Sequence, residues 1–250
     1  MNTASILAIA VGGTLALVAL WQVFLTPRLR RGPGGDAGLS LVLVLLRLYA
    51  KAVHRLRVEG QEHLEDLDGP LVVVCNHGSP LDPFLIQIAM PRLIRWMMAS
   101  DQMPADSAML WEFSRVIPTE RFRKSPLAII TAIRELRRGG VVGVFPEGRI
   151  GQPTERILPF HEGVGELVAR TRARVLLACL QGTPDTDEIG ASFFRPSHSN
   201  LRFLDVLSWP EGVEPTTITH ELRTRIIEAT GYPTVDEMDP LPPPVDPFLA

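Results

Sequence analysis

The 250-residue sequence has only two cysteines, Cys75 and Cys179. That is too few for a disulfide framework, and without a C-x-x-C spacing they do not form a zinc motif. A reducing compartment follows. Aromatic residues make up 6% and charged residues 21%, and the formal net charge is −3. So small a net charge gives no electrostatic reason to expect nucleic acid. With 46% hydrophobic residues the chain has enough apolar material for a core without disulfides or metals, which excludes disorder for most of it. No internal repeat and no G-x-S-x-G serine elbow is present.

The mean charge conceals a division. Residues 1–58 hold seven Lys/Arg against the single acid Asp36, a balance of +6, so the remainder carries −9. Ser5 to Leu25 contains no charged side chain. As a helix this run would be roughly 30 Å long, enough to cross the hydrocarbon core. Trp21 sits near one end, where an amphipathic ring suits the interface. No Lys or Arg precedes the run and no A-x-A site follows it, which argues against a cleaved signal peptide. Arg28, Arg30 and Arg31 come after it, so that end faces the cytoplasm by the positive-inside rule. Beyond the Gly32–Gly35 turn, a second apolar stretch, Leu39 to Leu48, becomes basic through Lys51, Arg55 and Arg57. It is too short to span and reads as an interfacial helix, or as half of a hairpin dipping into one leaflet. Residues 1–58 are therefore expected to anchor the chain as a membrane helix pair, with the body facing the cytoplasm.

Residues 59–232 alternate strand-like and helix-like patterns. Leu71–Cys75, Val141–Phe145, Val175–Leu180 and Leu201–Leu207 read as strands. Pro83–Met90, with Asp82 as N-cap, reads as a helix, as do Ser125–Arg138, Glu162–Arg172 and Thr219–Thr230, the last ended by Gly231. This alternation predicts an α/β layered fold with a central, largely parallel or mixed sheet. Its chemistry belongs in loops beyond the carboxyl ends of the strands. Residues 233–250 contain six prolines and read as an extended tail without a core.

The first two strands lead directly into reactive clusters. After the first comes Asn76-His77-Gly78-Ser79-Pro80-Leu81-Asp82, and after the second Pro146-Glu147-Gly148-Arg149. A histidine in a strand-to-helix loop can meet a carboxylate at the helix start. Asp82 would then hold one ring nitrogen of His77 and leave the other as a base. The plainer alternative is a histidine bonded to a helix cap. Backbone N–H groups near the Asp82 helix start are candidate oxyanion donors. The Gly148 backbone allows close approach, and Arg149, with Arg121 from a middle loop, offers forks for a phosphate. Between Arg92 and Arg156 there are 11 basic and 7 acidic residues, in a body that is otherwise acidic. Any single arginine there reads first as a solvated, ion-paired surface residue, and only the combination points to a phosphate site. Met90, Met97, Met98, Met103 and Met109 suit either an adaptable acyl groove or core packing. Cys75, near His77, reads as structural, because strand alternation aims neighbouring side chains apart.

The combination resembles the glycerolipid acyltransferases typified by 1-acylglycerol-3-phosphate acyltransferase. That family's first block, N-H-x-x-x-x-D, is matched by Asn76, His77 and Asp82, and its third, F-P-E-G-R, by Phe145 to Arg149. Its second block ends in an acid and an arginine, here Glu120-Arg121. The fourth, an apolar strand with a proline, is met loosely by LLACL before Gly182-Thr183-Pro184. The resemblance implies a membrane-bound O-acyltransferase that moves a fatty acyl group from acyl-CoA or acyl carrier protein to a lysophospholipid hydroxyl. It implies no metal or other cofactor, His77 as general base oriented by Asp82, Arg121 and Arg149 on the acceptor phosphate, and Glu147 ordering that site. Competing expectations are another acceptor such as a lyso-ornithine lipid, a non-catalytic membrane scaffold, and a metal hydrolase lacking a third ligand.

Overall fold

Leu71–Val74 carries four consecutive aliphatic residues, and all four are buried. A strand covered on both faces belongs in the middle of a layered sheet. The computed structural model describes residues 13, 20–30, 32, 35–103, 115–120, 126–151 and 154–235. Its strands are β1 (Arg57–Glu59), β2 (Leu71–Val74), β3 (Arg95–Ala99), β4 (Ile117–Thr119), β5 (Val141–Val144), β6 (Arg174–Gln181) and β7 (Asn200–Leu207). They form one sheet in the order β1-β7-β6-β2-β5-β3-β4. From β6 to β4 every pairing is parallel. β7 runs antiparallel to β6, with a register shift between Leu177 and Ala178, and β1 pairs parallel with β7. The sheet is therefore mixed, with a parallel heart of five strands.

Alternation along β2 sends Leu71 and Val73 to one face and Val72 and Val74 to the other. The first face packs on α3 (Asp82–Ala89) through Leu85, Ile86 and Ile88, and on Ala50 of α2 (Ala37–Val53). The opposite face packs on α4 (Pro126–Arg137), α5 (Gly163–Thr171) and α7 (Pro215–Thr230) through Ala132, Leu136, Leu167, Leu222 and Ile226. Three layers result, and all five parallel strands end along one edge of the sheet.

Local signals account for the helix ends. α2 starts where Asp36 Oδ1 accepts the Leu39 N–H at 2.7 Å, a side-chain cap. α7 stops at Gly231, whose φ of +66° is a left-handed turn that glycine adopts without strain. It begins four residues before the expected Thr219, because Pro215 sits in the first turn with its φ already helical. The short helix α6 (Ile189–Phe194) and strands β1, β3 and β4 have no counterpart in the sequence reading. Each is six residues or fewer, and their pairing partners rather than an alternating pattern define the three strands. Asp82 is the first residue of α3 and not its cap. Its carboxylate turns back to the preceding loop instead.

Most of the Ser5–Leu25 run and the tail beyond Val235 lie outside the described residues. Within the described residues of that run, Trp21–Leu25 is a π-helical turn continuing into α1 (Thr26–Leu29). Among the described residues no helix is long and apolar enough to cross a membrane. α2 exposes Val42, Val44, Leu45 and Leu48, and Leu20, Val23 and Phe24 are likewise exposed. Of the methionines, Met90 is fully buried in the α3-side core, Met97 packs on the opposite core, and Met109 is not among the described residues. After α7 the chain runs back across the molecule: Ile157 N–H bonds Pro233 O at 3.0 Å and Val235 N–H bonds Ile157 O at 3.0 Å.

Candidate active site

Past Val74 the chain leaves the sheet, and its next three side chains each have a different task. Cys75 points into the core, fully buried, and burial pushes its thiol pKa well up. It is structural, but burial rather than strand alternation decides this, since β2 already ends at Val74. The Asn76 amide bonds β6 at both ends, its Nδ2 donating to Leu180 O and its Oδ1 accepting from Leu180 N, both at 2.9 Å. This pins the loop to the neighbouring strand just before His77.

His77 Nδ1 lies 2.9 Å from Asp82 Oδ2. The same oxygen accepts the N–H groups of Gly78 at 2.8 Å and Ser79 at 2.9 Å. Two backbone N–H groups make this oxygen an acceptor, so Nδ1 donates to it, and in the neutral ring the lone pair is on Nε2. Nε2 has no hydrogen-bond partner among the described residues. The Asp82 side chain is 1% exposed and that of His77 16%, so the carboxylate is shielded while the imidazole retains an opening. Asp82 Oδ1 is buried without a partner among the described residues.

The imidazole is also fixed from its face. Its ring stacks on Phe145 at 4.0 Å between centroids and 12° between planes, and Phe145 stacks on Trp96 at 4.7 Å and 8°. Gly143 makes room for this column, because a Cβ there would lie 2.4 Å from the Trp96 ring. The column joins β3, the end of β5 and the loop after β2. In the sequence Phe145 stands out only as a motif letter, and Trp96 does not stand out at all. Nothing in a one-dimensional pattern signals a stack between residues that far apart.

Glu147 is fully buried, yet both of its oxygens are used. Oε1 accepts the His77 N–H at 2.9 Å and Oε2 the Leu158 N–H at 3.2 Å. Burial raises its pKa to about 8, opposed chiefly by those two amides. Gly148 has a φ of +70°, and a Cβ there would come within 2.8 Å of the His161 ring. Arg149 follows at the same strand end, partly buried. Arg121 lies outside the described residues, and β4 brings Glu120 to the same edge of the sheet. The structure thus brings His77, Asp82 and Glu147 together with Gly148 and Arg149 following on the same loop.

The expected oxyanion donors at the start of α3 are already committed. Pro80 and Pro83 have no N–H, Gly78 and Ser79 donate to Asp82, and the Asp82 N–H bonds Ser79 O at 3.1 Å. A narrow cleft opens beside His77. It is lined by Asn76 and Gly78, by Gly151 and Thr154–Arg156, by Leu180, Gly182 and Thr183 at the end of β6, and by Tyr232. Thr154 and Tyr232 carry no functional signal in the sequence, and Thr183 enters only within the loosely met fourth block. A wider, open depression on α7, lined by residues such as His220 and Glu221, lies on the helical layer away from this edge and has no motif residue. Among the described residues no three His, Cys, Asp or Glu side chains are grouped to hold a metal ion.

The crystal structure of the 1-acyl-sn-glycerophosphate (LPA) acyltransferase PlsC from Thermotoga maritima superposes with a TM-score of 0.62. The match covers 87% of this chain and 91% of that one at 20% sequence identity, so the two share a fold. A protein-family model described as Acyltransferase matches residues 55–182, from β1 to the end of β6 and thus across every residue of the His77 cluster. Those 128 of 250 residues are more than half of the chain, which therefore belongs to the acyltransferase family and is an acyltransferase.

Proposed function

We propose that this chain is a membrane-bound O-acyltransferase that acylates the free hydroxyl of 1-acylglycerol-3-phosphate to give phosphatidic acid, with acyl-CoA or acyl carrier protein as donor. The observation that carries the reading is the Asp82 clamp on His77 Nδ1, which leaves Nε2 as a base at the opening of the cleft. His77 Nε2 removes the acceptor hydroxyl proton as that oxygen attacks the thioester carbonyl. The buried Asp82 carboxylate stabilises the imidazolium that forms. On collapse of the tetrahedral intermediate the C–S bond breaks, the thiol sulfur takes the proton from Nε2, and the ester remains. No further cofactor is needed for this proton balance.

Arg149, with Arg121, holds the acceptor phosphate in this reading, and Glu147 orders the loop between them and the base. That the solved PlsC bears the name of an LPA acyltransferase supports this acceptor. The exposed apolar side chains of α2 and of Leu20–Phe24, next to Arg28 and Arg30, support attachment to a bilayer with the body on its cytoplasmic side. Both substrates are amphiphiles, so an enzyme at the interface meets them at high local concentration.

The test is lipid mass spectrometry on the purified full chain in mixed micelles, with several lysolipids competing for one acyl-CoA and one acyl carrier protein donor. A phosphatidic acid product that disappears in His77→Ala is the expected result. A His77-dependent product from another lysolipid would retain the chemistry and replace the acceptor. Equal product from wild type and His77→Ala would reject the base assignment.

A further inference from the structure

Glu147 spans two segments: one oxygen holds the amide of His77 and the other that of Leu158. The other side of Leu158 is held from the last helix. Arg223 on α7 donates from Nε to Leu158 O at 3.2 Å and from Nη2 to Val235 O at 3.1 Å. A chain of contacts thus runs from the guanidinium through the two peptide groups flanking the Leu158 Cα and the Glu147 carboxylate to the amide of His77. Arg223 lies 41 residues beyond the segment matched by the family model, as 223 minus 182.

We propose that Arg223 is a positioning residue for acyl transfer, holding the His77 loop in register through Leu158 and Glu147. The proposal rests on the transferase reading above. Two physical effects act together. The guanidinium fork clamps the Leu158 strap against the terminal segment, which aims the Leu158 N–H at Glu147. Its positive charge also favours the ionised form of Glu147, in which both oxygens accept an amide. Protonation makes one of the two oxygens a hydroxyl, a weaker acceptor than a carboxylate oxygen, and so loosens one of the two amides. Of the other groups facing Glu147, the Asp82 carboxylate of α3 disfavours a second negative charge, the Cys75 thiol at the end of β2 is kept neutral by burial, and the His161 ring lies against the adjoining Gly148. Among the described residues Arg223 is the cation that offsets Asp82.

The experiment compares full-length wild type, Arg223→Met, Arg223→Gln, Arg223→Lys and Glu147→Gln in detergent. The readouts are kcat between pH 6 and 9.5 and amide hydrogen exchange of the peptide containing His77. Wild-type kcat is expected to rise with pH through about 8, where Glu147 ionises. Arg223→Met moves that rise up by about one pH unit. It lowers kcat about tenfold at pH 7 and leaves it within about twofold of wild type at pH 9.5. At pH 9, where the protonated fraction of Glu147 rises from about a tenth in wild type to about a half, the His77 amide exchanges about fivefold faster than in wild type. Arg223→Gln, which keeps a donor for Leu158 O and survives if the Met variant fails to fold, shows the same pH shift. Arg223→Lys restores the wild-type profile, and Glu147→Gln is slow at every pH. An equal loss of kcat at all pH values, or wild-type exchange at His77 in the neutral variants, would overturn the proposal. A wild type that transfers no acyl group would refute the transferase reading instead, and the exchange comparison would still decide the role of Arg223.

Discussion

Replacing Asp82 by Asn separates the geometric from the electrostatic part of the His77–Asp82 pair. A single oxygen of Asp82 accepts all three hydrogen bonds, from His77 Nδ1, Gly78 N and Ser79 N, while Oδ1 has no partner among the described residues. An asparagine whose amide oxygen takes the Oδ2 position keeps all three bonds and the Nδ1–H tautomer. Its NH2 group occupies the place of a buried oxygen that was already unpaired, so the cost in stability is about 1–3 kcal/mol. In the proposed mechanism, what is lost is the negative charge that stabilises the imidazolium formed during transfer. With Nδ1 and Oδ2 at 2.9 Å the charge centres lie about 4 Å apart, and at an effective dielectric constant of about 20 their attraction is about 4 kcal/mol. At 1.4 kcal/mol per decade this is a decrease of about a thousandfold in kcat, within the range for general-base catalysis. Thiol release from acyl-CoA, followed colorimetrically under saturating lysolipid, measures it, and thermal unfolding confirms the fold. KM for the acceptor stays within about twofold, because Asp82 does not reach the cleft surface. A decrease in kcat smaller than about tenfold would refute the general-base account. So would a loss expressed wholly in KM.

Three further outcomes follow from the same geometry. Glu147 titrates near 8 in the folded protein against an ordinary 4.5, so between those values the folded state holds a proton that the unfolded chain has released. The stability contributed by this group therefore falls as pH rises through that window, and urea midpoints from pH 5 to 9 should lose that slope in Glu147→Gln. Gly148→Ala places a Cβ at a φ of +70° and 2.8 Å from the His161 ring. It costs about 1–2 kcal/mol, seen as a Tm lower by roughly 2–8 °C, and an unchanged Tm would show that the ring yields freely. Phe145→Leu removes the ring stacked on His77 at 4.0 Å. With about 1 kcal/mol of stacking lost, kcat falls roughly fivefold at constant KM, whereas wild-type kcat would mean that the Asp82 bond alone orients the base.

Residues that act through local chemistry are legible in the linear chain. The buried run Leu71–Val74, Gly231 at the end of α7 and the spacing of His77 and Asp82 depend on hydrophobicity, backbone freedom and a five-residue separation, all of which a linear reading contains. The second block is legible too, but Arg121 lies outside the described residues. A linear reading goes wrong where a local rule meets a competing tertiary demand. Asp82 carries the signature of an N-cap, yet three donors on the preceding loop outbid the helix end for its carboxylate. The same capture removes the amides that the sequence offered as oxyanion donors.

The α/β class, the parallel heart of the sheet and the meeting of His77 with Asp82 are properties of the sequence, because each follows from short-range pattern and residue chemistry. The remaining features of the site arise from tertiary contacts. Nothing local places Trp96 and Phe145 in one column with His77, clasps Asn76 onto Leu180 across 104 residues, or connects Arg223 to Glu147 through Leu158. These contacts join residues that only the strand order brings to one edge. Their strength comes from burial and simultaneous satisfaction of several donors, which no stretch of chain provides alone.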